Sequence, residues 1–155
     1  MIIRKVRLDD VKTVVKLTRD TIRNVNSKDY TKQQIDVWTS KNTARRLVSK
    51  IKDKSILRVV AVIDKKIVGV VCLKLNDNEI AGLYIKHTMH GRGIGSKLMD
   101  YIESYAKRGG LKYLKLYSTI TAEKFYIHLG YKRIRRMTNL FGKIKIPCIL
   151  LKKKL

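Results

Sequence analysis

The spacing of apolar positions changes several times along the chain, and each change predicts an element. Residues 2 to 7 read as a short first strand. From residue 11 the positions Val11, Val14, Val15, Thr18 and Ile22 follow a helical period, with Asp9 placed to cap them. NVNSKDY is a loop. Thr31 and Gln34 then form a T-x-x-Q capping box opening a short helix that carries Ile35 and Trp38, and a further helix around Ala44, Leu47, Val48 and Ile51 continues the same layer.

The period then becomes that of strands. LRVVAVID and IVGVVCLKL predict a hairpin about a turn at Asp64 to Lys66, and a second turn at NDN leads into EIAGLYIKH. After the loop TMHGR, the positions Ile94, Leu98, Met99, Ile102 and Ala106 predict a helix of about four turns, stopped by Gly109-Gly110. LKYLKLYS is a fifth strand. Thr121 or Thr119 caps the next helix, AEKFYIHL, which Gly130 ends at its C′ position, and YKRIRRM and IKIPCILLKKK close the chain as a strand pair. The predicted order is β-α-α-β-β-β-α-β-α-β-β, an α/β (α+β) chain with a mixed sheet and helices on its faces. With no repeat, linker or low-complexity segment, residues 1–155 read as one domain.

Composition narrows the setting. No apolar run approaches the ~18 residues needed to cross a bilayer, so a soluble protein is expected. MIIRKVRLDD lacks the apolar core and cleavage site of an export signal, which predicts a cytoplasmic protein. Cys72 and Cys148 lie apart within apolar runs and suit reduced core packing. The balance of 36 Lys plus Arg against 12 Asp plus Glu, a net +24, creates a field that attracts polyanions. Nucleic acid is thus a partner to weigh. The basic residues are nevertheless spread along the chain, with only the terminal LKKKL as a dense run, which reads as a solvated lysine-rich surface.

The candidate chemistry lies in HGRGIGS. A strand leading through a glycine-rich turn into a helix leaves the first helical amides unpaired and open to an anion. Gly91, Gly93 and Gly95 are expected to allow positive φ and close approach of a phosphate, with Arg92 and Lys97 adding charge. Both the P-loop and the dinucleotide fingerprint need a glycine five positions after the first. Counting from Gly91, Gly93 or Gly95, that place holds Ser96, Leu98 or Asp100, so neither pattern is met.

His90-Gly91-Arg92-Gly93-Ile94-Gly95 resembles the Q/R-x-x-G-x-G/A motif of the GNAT N-acetyltransferases, with His90 at the usual Gln or Arg position. A second stretch, with Ala122, Phe125, Tyr126, Gly130 and Tyr131, resembles that family's A-x-x-F-Y-x-x-x-G-Y/F signature. The likeness covers nearly the whole chain in element order, and the N-terminal KDYTKQQIDVW is similar to small prokaryotic members. It implies a GNAT-like fold and direct attack of an acceptor amine on the thioester of acetyl-coenzyme A. It also implies coenzyme contacts from Leu83, Tyr84, Ile85, His90, Gly91, Arg92, Gly93, Ile94, Gly95, Ser96 and Thr119. Ser118 is the neighbour that could replace Thr119.

The same resemblance implies Tyr126 as the acid that protonates the departing thiolate. It places Glu79, fourteen residues before Gly93, where some relatives carry a general base; a solvated strand-end glutamate is the other reading. For the acceptor, Tyr30, Asp36, Trp38 and Phe141 are the candidates, since aromatic and acidic groups suit an ammonium. Trp38 is equally explained as core. The positive field disfavours polyamines at long range and favours an acceptor with its own negative charge. His87, His90 and His128 lack a further ligand at metal-like spacing, so no metal is expected. A homodimer is left open. The alternative function is a catalytically weak GNAT-like module that binds coenzyme A or nucleic acid.

Overall fold

A computed structural model describes residues 1–155. Seven strands form one sheet: β1 (Ile2–Lys5), β2 (Ile56–Ile63), β3 (Lys66–Lys74), β4 (Glu79–Ile85), β5 (Tyr113–Ser118), β6 (Lys132–Phe141) and β7 (Ile144–Lys154). Their order is β1-β2-β3-β4-β5-β7-β6. All neighbours are antiparallel except β4 and β5, which run parallel and pair only through Glu79 with Lys115 and Ile80 with Leu116. Beyond Ile80 the two strands part. The β2–β3 turn places Asp64 and Lys65 at φ 47° and 61°, the backbone that a two-residue hairpin loop requires.

Five α-helices cover the sheet: α1 (Val11–Val25), α2 (Lys32–Ser40), α3 (Ala44–Lys52), α4 (Ile94–Arg108) and α5 (Glu123–His128). Strand alternation divides the core between the two faces. Val59 and Ala61 of β2 join Leu98, Met99, Ile102 and Ala106 of α4 in the larger core, whereas Val60 packs with Val11, Val14, Leu17 and Leu47 under α1 and α3.

Some local expectations change. The helix expected around Ala44 to Ile51 forms as α3, separate from α2, so that three helices lie between β1 and β2 where the predicted order counted two; Thr43 starts it by accepting a hydrogen bond from the Arg46 amide at 3.3 Å. Asp9 does not cap α1; a single 3₁₀ turn over Leu8–Asp10 precedes it. The neighbouring Asp10 carries that junction, taking bonds from Arg4 Nη1 (2.6 Å), Arg4 Nη2 (2.9 Å) and the Arg7 amide (2.8 Å). The Thr31–Gln34 capping box forms as expected, with bonds of 2.9 and 3.2 Å. Neither Thr119 nor Thr121 is the cap residue of α5, which is Ala122; Thr119 Oγ1 instead accepts from the Ala122 amide at 3.1 Å and tightens the turn before the helix. β6 runs four residues past Met137 to Phe141.

Candidate active site

The glycine-rich turn follows β4 and opens α4. Gly91 and Gly93 have φ of 75° and 70°, a conformation that costs a residue with a side chain about 1–3 kcal/mol. Gly95 serves differently. It lies in the first turn of α4 without a positive φ, and an added Cβ would stand 3.1 Å from Phe125 Cζ, so its lack of a side chain makes room for that ring. Lys97 donates its amide to the Gly93 carbonyl at 3.1 Å and so begins the helical ladder, leaving the amides of Ile94, Gly95 and Ser96 as the helix's unpaired donors. They carry the positive end of the helix dipole.

His90 anchors this turn. Its ring nitrogen Nε2 lies 3.0 Å from the Ile85 carbonyl, a bond in which Nε2 carries the proton. Thr21 Oγ1 donates to the same carbonyl at 3.0 Å, tying α1 to the end of β4 as well. An imidazole N–H thus supplies a donor, as a Gln or Arg side chain would.

A cavity of about 900 Å³ opens where β4 and β5 diverge. Leu83, Tyr84 and Ile85 line it, standing in register with Val71, Val70 and Gly69 of β3 on one side while lacking a β5 partner on the other. His90, Gly91, Gly93, Ile94, Gly95, Ser96, Ser118, Thr119, Glu79 and Tyr126 line the same space. Arg92 is exposed and lies outside the lining. Tyr126 is 6% exposed. Burial holds its hydroxyl well above the ordinary tyrosine value, with the nearby Tyr84 adding to the effect, so it keeps its proton throughout the neutral range.

Glu79 Oε1 accepts from Lys74 Nζ at 3.0 Å. Desolvation draws Lys74 down, but Glu79's hydrogen bond and charge, together with Asp77, outweigh it and leave Lys74 above its usual value. The other oxygen of Glu79 takes no hydrogen bond from the protein.

Among the acceptor candidates, Tyr30, Trp38 and Phe141 line the cavity and Asp36 does not. Asp36 sits on the exposed side of α2 and pairs with Lys32 at 2.6 Å. Tyr30 is a strut: its hydroxyl donates to the Pro147 carbonyl (2.8 Å), accepts from the Ile120 amide (3.0 Å), and its ring meets Trp38 edge-on at 5.8 Å. One wall residue acts through a feature that its sequence position did not disclose. The ring of Tyr84 lies back over Gly82, where an added Cβ would stand 2.8 Å from Cε2.

Residues 26–145 match the family model described as an acetyltransferase (GNAT) domain. The chain belongs to the GNAT acetyltransferase family. As a GNAT protein it is an acetyl-coenzyme A-dependent N-acetyltransferase. It is 26% identical, over 140 residues, to a Thermoplasma acidophilum protein named spermidine N(1)-acetyltransferase, covering 84% of this chain and 87% of that one. In fold it is similar to a GCN5-related N-acetyltransferase of Rhodopseudomonas palustris, with a TM-score of 0.92 at 22% identity over 99% of this chain and 95% of that one. It is also similar to the PaiA N-acetyltransferase of T. acidophilum solved in complex with coenzyme A, with a TM-score of 0.84 at 24% identity over 99% and 98% of the two chains. No helix of this GNAT chain is long and apolar enough to cross a membrane.

Proposed function

We propose that residues 1–155 act as one cytoplasmic unit that transfers the acetyl group of acetyl-coenzyme A to a primary amine by direct attack in a ternary complex. The observation that carries this reading is that one cavity is lined at once by the unpaired amides of the Gly91–Ser96 turn, the free edge of β4 and Tyr126. The amides suit the coenzyme diphosphate, and the charge of a lysine-rich surface speeds its encounter. Thr119, at the end of β5, is placed to meet the polar groups of the pantetheine arm, with Ser118 already donating to the Thr119 carbonyl at 2.8 Å.

In the transfer, a carbon–nitrogen bond forms and the carbon–sulfur bond of the thioester breaks. Glu79, through its unoccupied oxygen or a water on it, takes a proton from the acceptor ammonium so that the amine can attack. The free edge of β4 offers backbone donors to the carbonyl oxygen as charge gathers there. Tyr126 gives its proton to the departing thiolate and recovers one from the nitrogen that has just formed the amide, by way of solvent. The sum is one amide, one thiol and one proton released.

Calorimetric titration of acetyl-coenzyme A, followed by free-thiol release against a panel of primary amines, tests the reading. Saturable binding with amine-dependent thiol release is expected. Binding without turnover, joined to salt-sensitive affinity for nucleic acid, would favour a binding module instead.

A further inference from the structure

A second, smaller cleft of about 120 Å³ lies between α1, α3 and strands β2 to β4. Four cationic side chains line it, Lys41, Arg46, Lys50 and Arg58, and no carboxylate does. None of the four has an acidic partner within ion-pair distance; Arg58 Nη2 instead rests 3.2 Å from the thiol of Cys72. Most lysines and arginines of the chain are likewise unpaired, but here four of them line one concave space that no carboxylate enters. The crowding is felt locally. Lys50 is held below the usual lysine value, first by desolvation and then by the charge of Arg58, with Lys74 and Arg46 adding and Cys72 opposing.

The cleft adjoins the acetyl-transfer cavity. Ala81, Gly82 and Tyr84 line both, so the Tyr84 ring and the bulged stretch of β4 form a shared partition. Arg58, Cys72 and Gly82 stand in one register row across β2, β3 and β4. At the ordinary spacing of strands, that row sets Arg58 roughly 10 Å from Gly82. The volume is well below the ~300 Å³ at which a pocket encloses a whole small molecule, which suits one end of a ligand whose remainder lies elsewhere.

Resting on the acetyl-transfer reading, we propose that this cleft receives an oxyanion borne by the acceptor, so that the substrate class is an amine carrying a carboxylate or phosphate a few bonds from the nitrogen. Arg58 and Lys50 supply charge-assisted donors to that group while the amine reaches round Tyr84 to the edge of β4. Such an arrangement selects against polyamines, whose second ammonium would meet four uncompensated cations.

Matched probe amines test this. Ethanolamine is compared with O-phosphoethanolamine, and 1,5-diaminopentane with lysine, by thiol release at saturating acetyl-coenzyme A; spermidine serves as the polycation. The anionic member of at least one pair is expected to have a kcat/KM about tenfold or more above its partner, and which pair responds separates phosphate from carboxylate. In Lys50→Gln and in Arg58→Gln that ratio falls toward one. Lys50 lies on the exposed surface of α3, so its variant keeps the test available if the strand variant misfolds. As a readout apart from turnover, orthophosphate is titrated with the diphosphate turn already filled by saturating coenzyme A. It should raise the wild-type melting temperature, and the Lys50→Gln/Arg58→Gln pair should lose that rise.

Equal use within both pairs, or preference for spermidine, alongside thiol release would overturn the proposal and leave acetyl transfer standing. Absence of thiol release with every amine would remove both.

Discussion

The ring of Phe125 occupies the space into which a side chain on Gly95 would project, with 3.1 Å between an added Cβ and Phe125 Cζ. This contact joins the turn that begins α4 to the helix that carries Tyr126. The glycine-rich turn and the helix carrying Tyr126 are therefore packed as one body, and Phe125 meets Tyr126 in turn at 5.1 Å between ring centres.

Gly95→Ala gains helix propensity of up to about 1 kcal/mol, but pushes on the Phe125 ring. Phe125→Leu removes that ring edge. A double-mutant cycle by denaturant unfolding should therefore return a coupling of about 0.5–3 kcal/mol, the alanine being better tolerated beside leucine. Additive effects would show that the two residues do not press on each other.

Tyr126→Phe should lower kcat by roughly 10²-fold or more with little change in acetyl-coenzyme A affinity. The pH dependence has a definite sign. Burial raises the pKa of Tyr126, and the proton donor is the neutral phenol, so the wild-type rate should not fall through the ordinary tyrosine range near pH ~10 on account of this group. A basic limb centred there and abolished in the phenylalanine variant would contradict the raised pKa, and an unaltered kcat in that variant would remove the acid role.

Glu79→Gln should reduce kcat/KM by roughly tenfold or more at neutral pH with little change in acetyl-coenzyme A affinity. An unchanged kcat/KM would leave Glu79 as a strand-end ion pair with Lys74 and no more.

Asp10 is held below the usual aspartate value chiefly by its hydrogen bond with Arg4, against the opposing effect of burial, with the Arg7 amide assisting. A depressed folded-state pKa means stability that is present above the unfolded value near ~3.9 and lost as pH falls through the lower folded value. Asp10→Asn should cost about 1–3 kcal/mol at pH 7, and the difference from wild type should vanish in strongly acidic solution. A pH-independent difference would place the cost in packing instead.

The sequence disclosed those features that depend on neighbours along the chain. HGRGIGS sets its own φ angles and exposes its own amides, and the Thr31–Gln34 box spans a single helical turn, so both were readable from spacing. Asp36 shows how finely placement depends on phase: Ile35 and Thr39 are buried, Trp38 shares their side of α2, and the intervening Asp36 turns outward to Lys32. The cationic cleft was not readable in this way. Its charges come from α3 and β2 and the loop before α3, and only the register of Arg58 with Cys72 and the packing of α3 bring them together. Likewise the role of Gly95 depended on an aromatic ring thirty residues later.

The most direct measurement follows the backbone amides of the turn by ¹⁵N-resolved NMR as coenzyme A is added. The resonances of Gly91, Gly93, Ile94, Gly95 and Ser96 should move saturably and together, and those of Ile94, Gly95 and Ser96 should show the downfield displacement expected of amides donating to an anion. Saturation recorded elsewhere in the protein while these five stay in place would contradict diphosphate binding at the start of α4.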